Sequence, residues 1–132
     1  MKHYKLIIAG SRGWNDYQAV IDAVRAFYKK YKISGKLRPP KIISGTARGA
    51  DQLGERLAKE FNLELVLMPA KWNEYGRSAG YRRNEEMAKI ADGCIVFWDG
   101  KSRGSQHMVN LAEQYKLDRM LVTNAPDQLI LE

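Results

Sequence analysis

Between Lys41 and Phe61 the chain passes from a strand signal, through a loop with two glycines, into a helix signal, and the rest of the chain is organised around that succession. Lys41-Ile42-Ile43 reads as the end of a buried, β-branched strand. Ser44-Gly45-Thr46-Ala47-Arg48-Gly49 follows, with small residues and two positions free to take positive φ. Leu53, Leu57 and Phe61, with Ala50, Gly54 and Ala58 beside them, then put one apolar face on a helix. Backbone N–H groups gathered at the start of a helix suit an anion, typically a phosphate. A tight turn between strand and helix that merely uses glycine explains the same residues.

The rest of the chain repeats the alternation. Lys5-Leu6-Ile7-Ile8-Ala9 is a first strand and Gly10-Ser11-Arg12-Gly13 its exit. Asn15 or Asp16 caps a helix whose buried face is Val20, Val24, Phe27, Tyr28 and Tyr31. Ser34 to Pro40 stops it. Leu63 to Met68 reads as a third buried strand, ended by Pro69. Ala70 to Arg83 is the longest irregular segment, rich in glycine, aromatics and arginine. Asn84 to Ala91 is a short helix with Met87, Ala88 and Ala91 inward. Cys94 to Trp98 is a fourth strand, and Asp99 to Ser105 its Gly-rich exit. Met108, Leu111, Ala112 and Tyr115 mark another helix before a fifth strand, Arg119 to Thr123. The segment from Ala125-Pro126 has no place in this pattern.

Strands alternating with helices imply an α/β fold, here one three-layer domain over residues 1–132 with a mostly parallel five-stranded sheet. Ligands of such sheets bind at the strand carboxyl ends, where the strand order switches. With the order 3-2-1-4-5, Gly10-Ser11-Arg12 meets Asp99-Gly100-Lys101-Ser102, and Ser44 to Gly49 lies alongside.

A net charge of +7 favours phosphorylated or polyanionic partners, although solubility alone would account for it. No apolar run is long enough to span a bilayer, and Met1-Lys2-His3-Tyr4 leads straight into a strand, so a cytoplasmic chain without a membrane partner is expected. Cys94, the single cysteine, excludes an intrachain disulfide and reads as core filling. No cluster suggests a metal site, and no cofactor is expected.

The loops meet no standard nucleotide motif. Gly10-Ser11-Arg12-Gly13 is not a dinucleotide fingerprint, and a P-loop ending at Gly100-Lys101-Ser102 would need glycine where Ile95 stands. Ser11, Ser44, Thr46, Ser102 and Ser105 supply hydroxyls, and Arg12, Arg48, Arg82 and Arg83 supply planar forks that match phosphate. Asp51, Asp99 and Asp16 can accept from ribose hydroxyls; Asp51 fits equally well as a helix-start residue. Trp72 and Tyr75 either stack on a base or pin the segment to the body. His107 has no partner visible in the sequence.

Taken in order, these pieces resemble the SLOG superfamily of Rossmann-like proteins, which includes DprA and the LOG phosphoribohydrolases, and in particular its YspA/YpsA-related branch. The resemblance is carried by Gly10-Ser11-Arg12, by Ser44 to Asp51, and by Pro69-Ala70-Lys71-Trp72. Tyr75-Gly76, Ala79-Gly80, Arg83-Asn84 with Met87, and Phe97 to Ser105 complete it. It implies a Rossmann-like fold and a nucleotide or nucleotide-derived ligand at the strand carboxyl edge, sensed or processed there. The site it implies comprises Gly10, Ser11 and Arg12 from the first loop and Ser44, Gly45, Thr46, Arg48, Gly49 and Asp51 from the second. Trp72, Arg83 and Asn84 follow, with Asp99, Gly100, Ser102, Gly104 and Ser105 from the last. LOG enzymes pair an arginine with a methionine four residues on, as Arg83 and Met87 do, and carry a Gly-Thr-x-x-Glu whose glutamate helps to break an N-glycosidic bond. Here that frame is Gly104-Ser105-Gln106-His107-Met108, so hydrolysis would need a substitute such as Asp99 or Glu86 beside Arg83. The DprA-like loop implies single-stranded nucleic acid as an alternative partner, and the LOG-like fold implies a homodimer.

Overall fold

The computed structural model describes residues 3–33 and 38–123; Ser34 to Leu37 of the expected helix stop, and the segment from Ala125-Pro126, lie outside them. In order the elements are β1 (His3–Gly10), α1 (Tyr17–Tyr31), β2 (Arg38–Ser44), α2 (Ala50–Glu60) and β3 (Glu64–Leu67). Then come α3 (Trp72–Tyr75), a 3₁₀ turn (Gly76–Ser78), α4 (Ala79–Ile90), β4 (Gly93–Trp98), α5 (Arg103–Gln114) and β5 (Asp118–Thr123). The strands form one sheet in the order β3-β2-β1-β4-β5, and every pairing is parallel.

The near-continuous apolar run of β1 is what a central strand covered on both faces requires. Leu6 and Ile8 point into a core shared with Val20 and Phe27 of α1 and Leu57 and Ala58 of α2. Ile7 and Ala9 point the other way, onto Met87 and Ala88 of α4 and Met108 and Leu111 of α5. Three layers result, with α1 and α2 on one side and α4 and α5 on the other. Asp16, rather than Asn15, caps α1 by accepting from the Ala19 N–H at 3.0 Å. Among the described residues, no helix is long and apolar enough to cross a membrane.

Several boundaries differ from the sequence expectation. Arg38-Pro39-Pro40 belongs to β2 rather than to a helix stop. Proline is tolerated there because the β1–β2 register shifts between His3 and Lys5, and pairing with β3 begins only at Lys41. β3 is a short edge strand, not a buried one: Leu67 is 53% exposed. Phe61 is exposed, not part of the α2 face, because the helix ends at Glu60. The largest difference lies in Ala70 to Arg83, read as irregular. It holds α3, the 3₁₀ turn and the first five residues of α4, because glycine at Gly76 and Gly80 hid the helical spacing.

Candidate functional site

The crevice opens where the winding reverses, between β1 and β4. Gly10 ends β1 at φ 153°, and a side chain there would collide with the backbone of Phe97. The close approach lets Ser11 tie three loops together. Its N–H donates to the Phe97 carbonyl at 2.8 Å, and its carbonyl accepts from Ala50 N–H at 3.3 Å. Its hydroxyl accepts from Asp99 N–H at 3.0 Å. Gly49, at φ 77°, leaves no room for a side chain against the carbonyls of Ser11 and Arg12. Both glycines therefore serve loop-against-loop packing.

The β2 loop is held from within. Buried Ser44 donates to Glu55 at 2.7 Å and accepts from Thr46 N–H at 3.0 Å. Thr46 takes a left-handed φ of 67°. Asp51 turns its carboxylate back onto Ala47 N–H at 3.1 Å. Burial pushes Asp51 up to about 6, against the lowering pull of that N–H, the Arg83 charge and the Gly10 N–H.

Arg83 reaches this loop from α4. Its Nη1 donates to the Gly45 carbonyl and its Nε donates to Asn84 Oδ1 at 2.9 Å. A side chain on Gly45 would come within 2.6 Å of that guanidinium and 2.9 Å of the Asp51 carboxylate, so Gly45 fills the gap between two opposite charges. Burial disfavours the Arg83 charge, Asp51 supports it, and the guanidinium of Arg12 opposes it.

The far wall is α5 and its entry. Ser102 caps the helix, accepting from Ser105 N–H at 3.3 Å, and Ser105 Oγ donates to Ser102 Oγ at 3.1 Å. Asp99 is an exposed turn residue whose carboxylate accepts from Lys101 and Ser102 N–H at 2.8 and 2.9 Å, which holds it below the usual range. Gly100 at φ 84° completes that turn. His107, without a visible partner in the sequence, has two in the structure. Asn84 Nδ2 lies 3.3 Å from its Nδ1, and the Tyr81 ring meets it edge-on at 4.6 Å. With the amide donating, Nδ1 is the acceptor and the proton sits on Nε2, a tautomer assigned from the network. Burial lowers the pKa of the imidazole, against the pull of the Glu85 charge.

Between these walls the cleft holds two lobes that share part of their lining. The first, about 200 Å³, is bounded by Gly10, Arg12, Asp51, Trp72, Arg83 and Asn84, and across from them by Ser102, Gly104 and Ser105. Met87 and Met108 form its apolar floor, both 1% exposed. The second, about 310 Å³, lies over Gly45, Thr46, Arg48, Pro69 and Ala70 and shares Arg12, Ala47, Trp72 and Arg83 with the first. Ser11, Ser44, Gly49, Asp99, Gly100 and Glu86 line neither lobe. Arg77 and Tyr81 line the first, and sequence reasoning passed over both because their segment read as irregular. Among the described residues, Asp51 is the lone carboxylate on the lining. No group of three or more His, Cys, Asp or Glu among them is placed to hold a metal ion.

The charges do not balance. Arg12, Arg77 and Arg83 face the first lobe against Asp51 alone. The guanidinium groups of Arg12 and Arg77 have no hydrogen-bond or ion-pair partner among the described residues. Trp72, 51% exposed, stands beside them with its ring edge over Gly80 of α4. Free guanidinium forks, helix-start amides and hydroxyls, an apolar floor and an aromatic face are what a phosphorylated ring compound needs.

The chain is similar to known proteins. The model of the YspA, cpYpsA-related SLOG family matches residues 4–75, from β1 through α3. Gene 61 protein of Mycobacterium phage D29 is 33% identical over 118 residues, which takes in 83% of this chain and 89% of that protein. No solved structure matches the chain.

Proposed function

This chain belongs to the YspA, cpYpsA-related SLOG family, and on that footing we propose that it is a cytoplasmic domain binding a nucleotide or nucleotide-derived ligand in the cleft at the carboxyl edge of its sheet. The observation that carries the reading is the charge imbalance of the first lobe: three guanidinium groups, two of them unpartnered, against one buried carboxylate. A phosphate there would meet Arg12 and Arg83, with the Gly104 and Ser105 region of α5 opposite. The apolar Met87 and Met108 floor and Trp72 suit a sugar and a flat base.

Binding is proposed ahead of glycosidic hydrolysis because of where the carboxylates stand. Met108 occupies the position of the LOG glutamate and is buried on the floor, Asp99 and Glu86 line neither lobe, and Asp51, the lone carboxylate on the lining among the described residues, is buried and turned onto Ala47 N–H. Single-stranded nucleic acid fits less well, since the free Arg12 and Arg77 converge on one lobe of about 200 Å³ instead of tracking a groove.

A thermal-shift panel tests the reading with mononucleotides, NAD, ADP-ribose, cyclic nucleotides and a short single-stranded oligonucleotide at low and moderate salt. Saturation at about a hundred times Kd adds roughly 2.7 kcal/mol, a rise of several degrees in Tm. A salt-tolerant shift with a small nucleotide is expected. Arg83→Ala should weaken that ligand by roughly ten- to a hundredfold, the worth of about 1.5–3 kcal/mol for a charged hydrogen bond, in a chain that still melts cooperatively. No shift with any small nucleotide would overturn the reading; a shift with the oligonucleotide alone, vanishing with salt, would replace it.

A further inference from the structure

Asn84 joins the guanidinium of Arg83 to the imidazole of His107. It is only 8% exposed, so its amide has to find partners within the protein. Its Oδ1 accepts from Arg83 Nε at 2.9 Å. Its Nδ2 donates to His107 Nδ1 at 3.3 Å and to the Gly104 carbonyl at 3.5 Å. Turned over, the amide would set its oxygen against the Gly104 carbonyl and its N–H groups against the Arg83 Nε–H, acceptor on acceptor and donor on donor. One orientation therefore satisfies every partner, on the condition that His107 Nδ1 carries no proton.

A proton taken from solvent onto Nδ1 removes that condition. An imidazolium has two donors and no acceptor, so its Nδ1–H would face the Asn84 N–H groups. The ring is held where it is by Tyr81, which meets it edge-on at 4.6 Å. The terminal torsion of asparagine is soft, and the charged donor offers its oxygen a stronger bond than Arg83 Nε gives up. The amide is thus the group that turns. Arg83 depends on that amide for its orientation. Its Nη1 donates to the Gly45 carbonyl, and a planar fork held at both Nη1 and Nε has a fixed plane. Held at Nη1 alone, it can rotate.

We infer that His107 is a positioning residue for Arg83: unprotonated at Nδ1, it keeps the Asn84 oxygen on Arg83 Nε, and a proton on Nδ1 turns the amide over and frees the guanidinium to rotate in the first lobe. The inference is independent of what the cleft binds. Around the imidazole, Glu85 of α4 favours the proton and burial opposes it more strongly, so the change falls below pH 6.5. Around Arg83, Asp51 of α2 supports the charge and Arg12 of the β1 loop opposes it. Asp51 titrates at about 6, so its proton has to be told apart from that of His107.

NMR of the full chain, titrated from neutral into acid, follows His107 Cε1–H, Asp51 Cγ and Arg83 Nε–H together. The Arg83 resonance is expected to shift with the His107 midpoint. The order parameter of its Nε–H bond should fall from the rigid range, about 0.85, to below about 0.6 as that proton binds. His107→Asn sets an amide oxygen close to the place of Nδ1, an acceptor that survives in acid, so the step should vanish and Arg83 stay ordered. Asp51→Asn removes the competing titration and should leave the step at the His107 midpoint, which keeps the test decisive should the first variant disturb folding. An Arg83 resonance indifferent to the His107 proton in the parent chain or in Asp51→Asn would overturn the relay. So would a step that persists at the parent midpoint in His107→Asn.

Discussion

On the β1–β2 side of the cleft the short polar side chains are occupied by the protein itself, and only the long Arg12 and Arg48 stay free among the described residues. Ser11 Oγ accepts from Asp99, Ser44 Oγ serves Glu55 and Thr46, and the Asp51 carboxylate serves Ala47. On the α3–α4 side, Arg77 and the face of Trp72 are open, and Arg83 crosses over to hold the Gly45 carbonyl. The side that looks most like a phosphate cradle in sequence is thus mainly a clamp between loops. The side that reads as irregular brings side chains with donors to spare. A βα-loop motif of small residues and glycine fixes backbone geometry first, and the long side chains that recognise a ligand can come from elsewhere.

The hardest blow to this contrast is a glycine exchange on each side. Gly10→Ala should cost about 3 kcal/mol, because its methyl group meets the Phe97 backbone at a left-handed φ. That corresponds to a loss of about 10 °C in Tm by calorimetry. Gly104→Ala on the α5 side meets nothing within 4 Å and sits in the first helical turn, so it should leave Tm unchanged or slightly raised. Equal losses in both variants would break the contrast outright.

These two sides also mark what the sequence made legible. The alternation of strands and helices follows from hydrophobic periodicity and glycine placement, which act locally along the chain; the meeting of Gly10, Gly49 and Asp99 depends besides on the strand order, which is common to such sheets but which periodicity does not determine. The helical character of Ala70 to Arg83 was not legible, because Trp72, Tyr75 and Tyr81 break the apolar spacing by facing solvent or the cleft instead of the core. Arg77 and Tyr81 were missed for the same reason. The pairing of Asn84 with His107 spans two helices, and nothing local announces it. Asp99 is the opposite case: its place after β4 matches a ribose-binding carboxylate, while in the fold its Oδ1 accepts from the N–H groups of Lys101 and Ser102.

Asp51 sharpens the contrast through pH. Burial raises it from 3.8 to about 6 in the folded chain. Between those values the folded chain keeps a proton that the unfolded chain has released. Stability therefore falls as pH rises through that window and stays at its lower level above it. Asp51→Asn keeps an acceptor for Ala47 N–H and removes the charge. Urea melts should show the variant equal to the parent chain near pH 4 and more stable above about pH 6, by at most about 3 kcal/mol. A variant less stable than the parent above pH 6 would mean that attraction to Arg83 outweighs burial, and the β2 loop would then be braced by charge instead of strained by it.

The smallest effect, and the most discriminating, belongs to Asp99. Its carboxylate is exposed, lies off both lobes and holds the N–H groups of Lys101 and Ser102. Its lowered pKa means that the ionised form is favoured in the fold, so its contribution is present above the unfolded value and lost as pH falls through the folded one. Asp99→Asn should therefore lower Tm only slightly near neutral pH, with the difference vanishing in acid. Affinity for any nucleotide that binds the parent chain should change by less than about twofold, since the substitution removes no group from the lining. A tenfold loss of affinity at unchanged Tm would put Asp99 on the ligand after all. The β4 loop would then join the open side of the cleft, and the division between a clamping wall and a recognising one would have to be redrawn through β4.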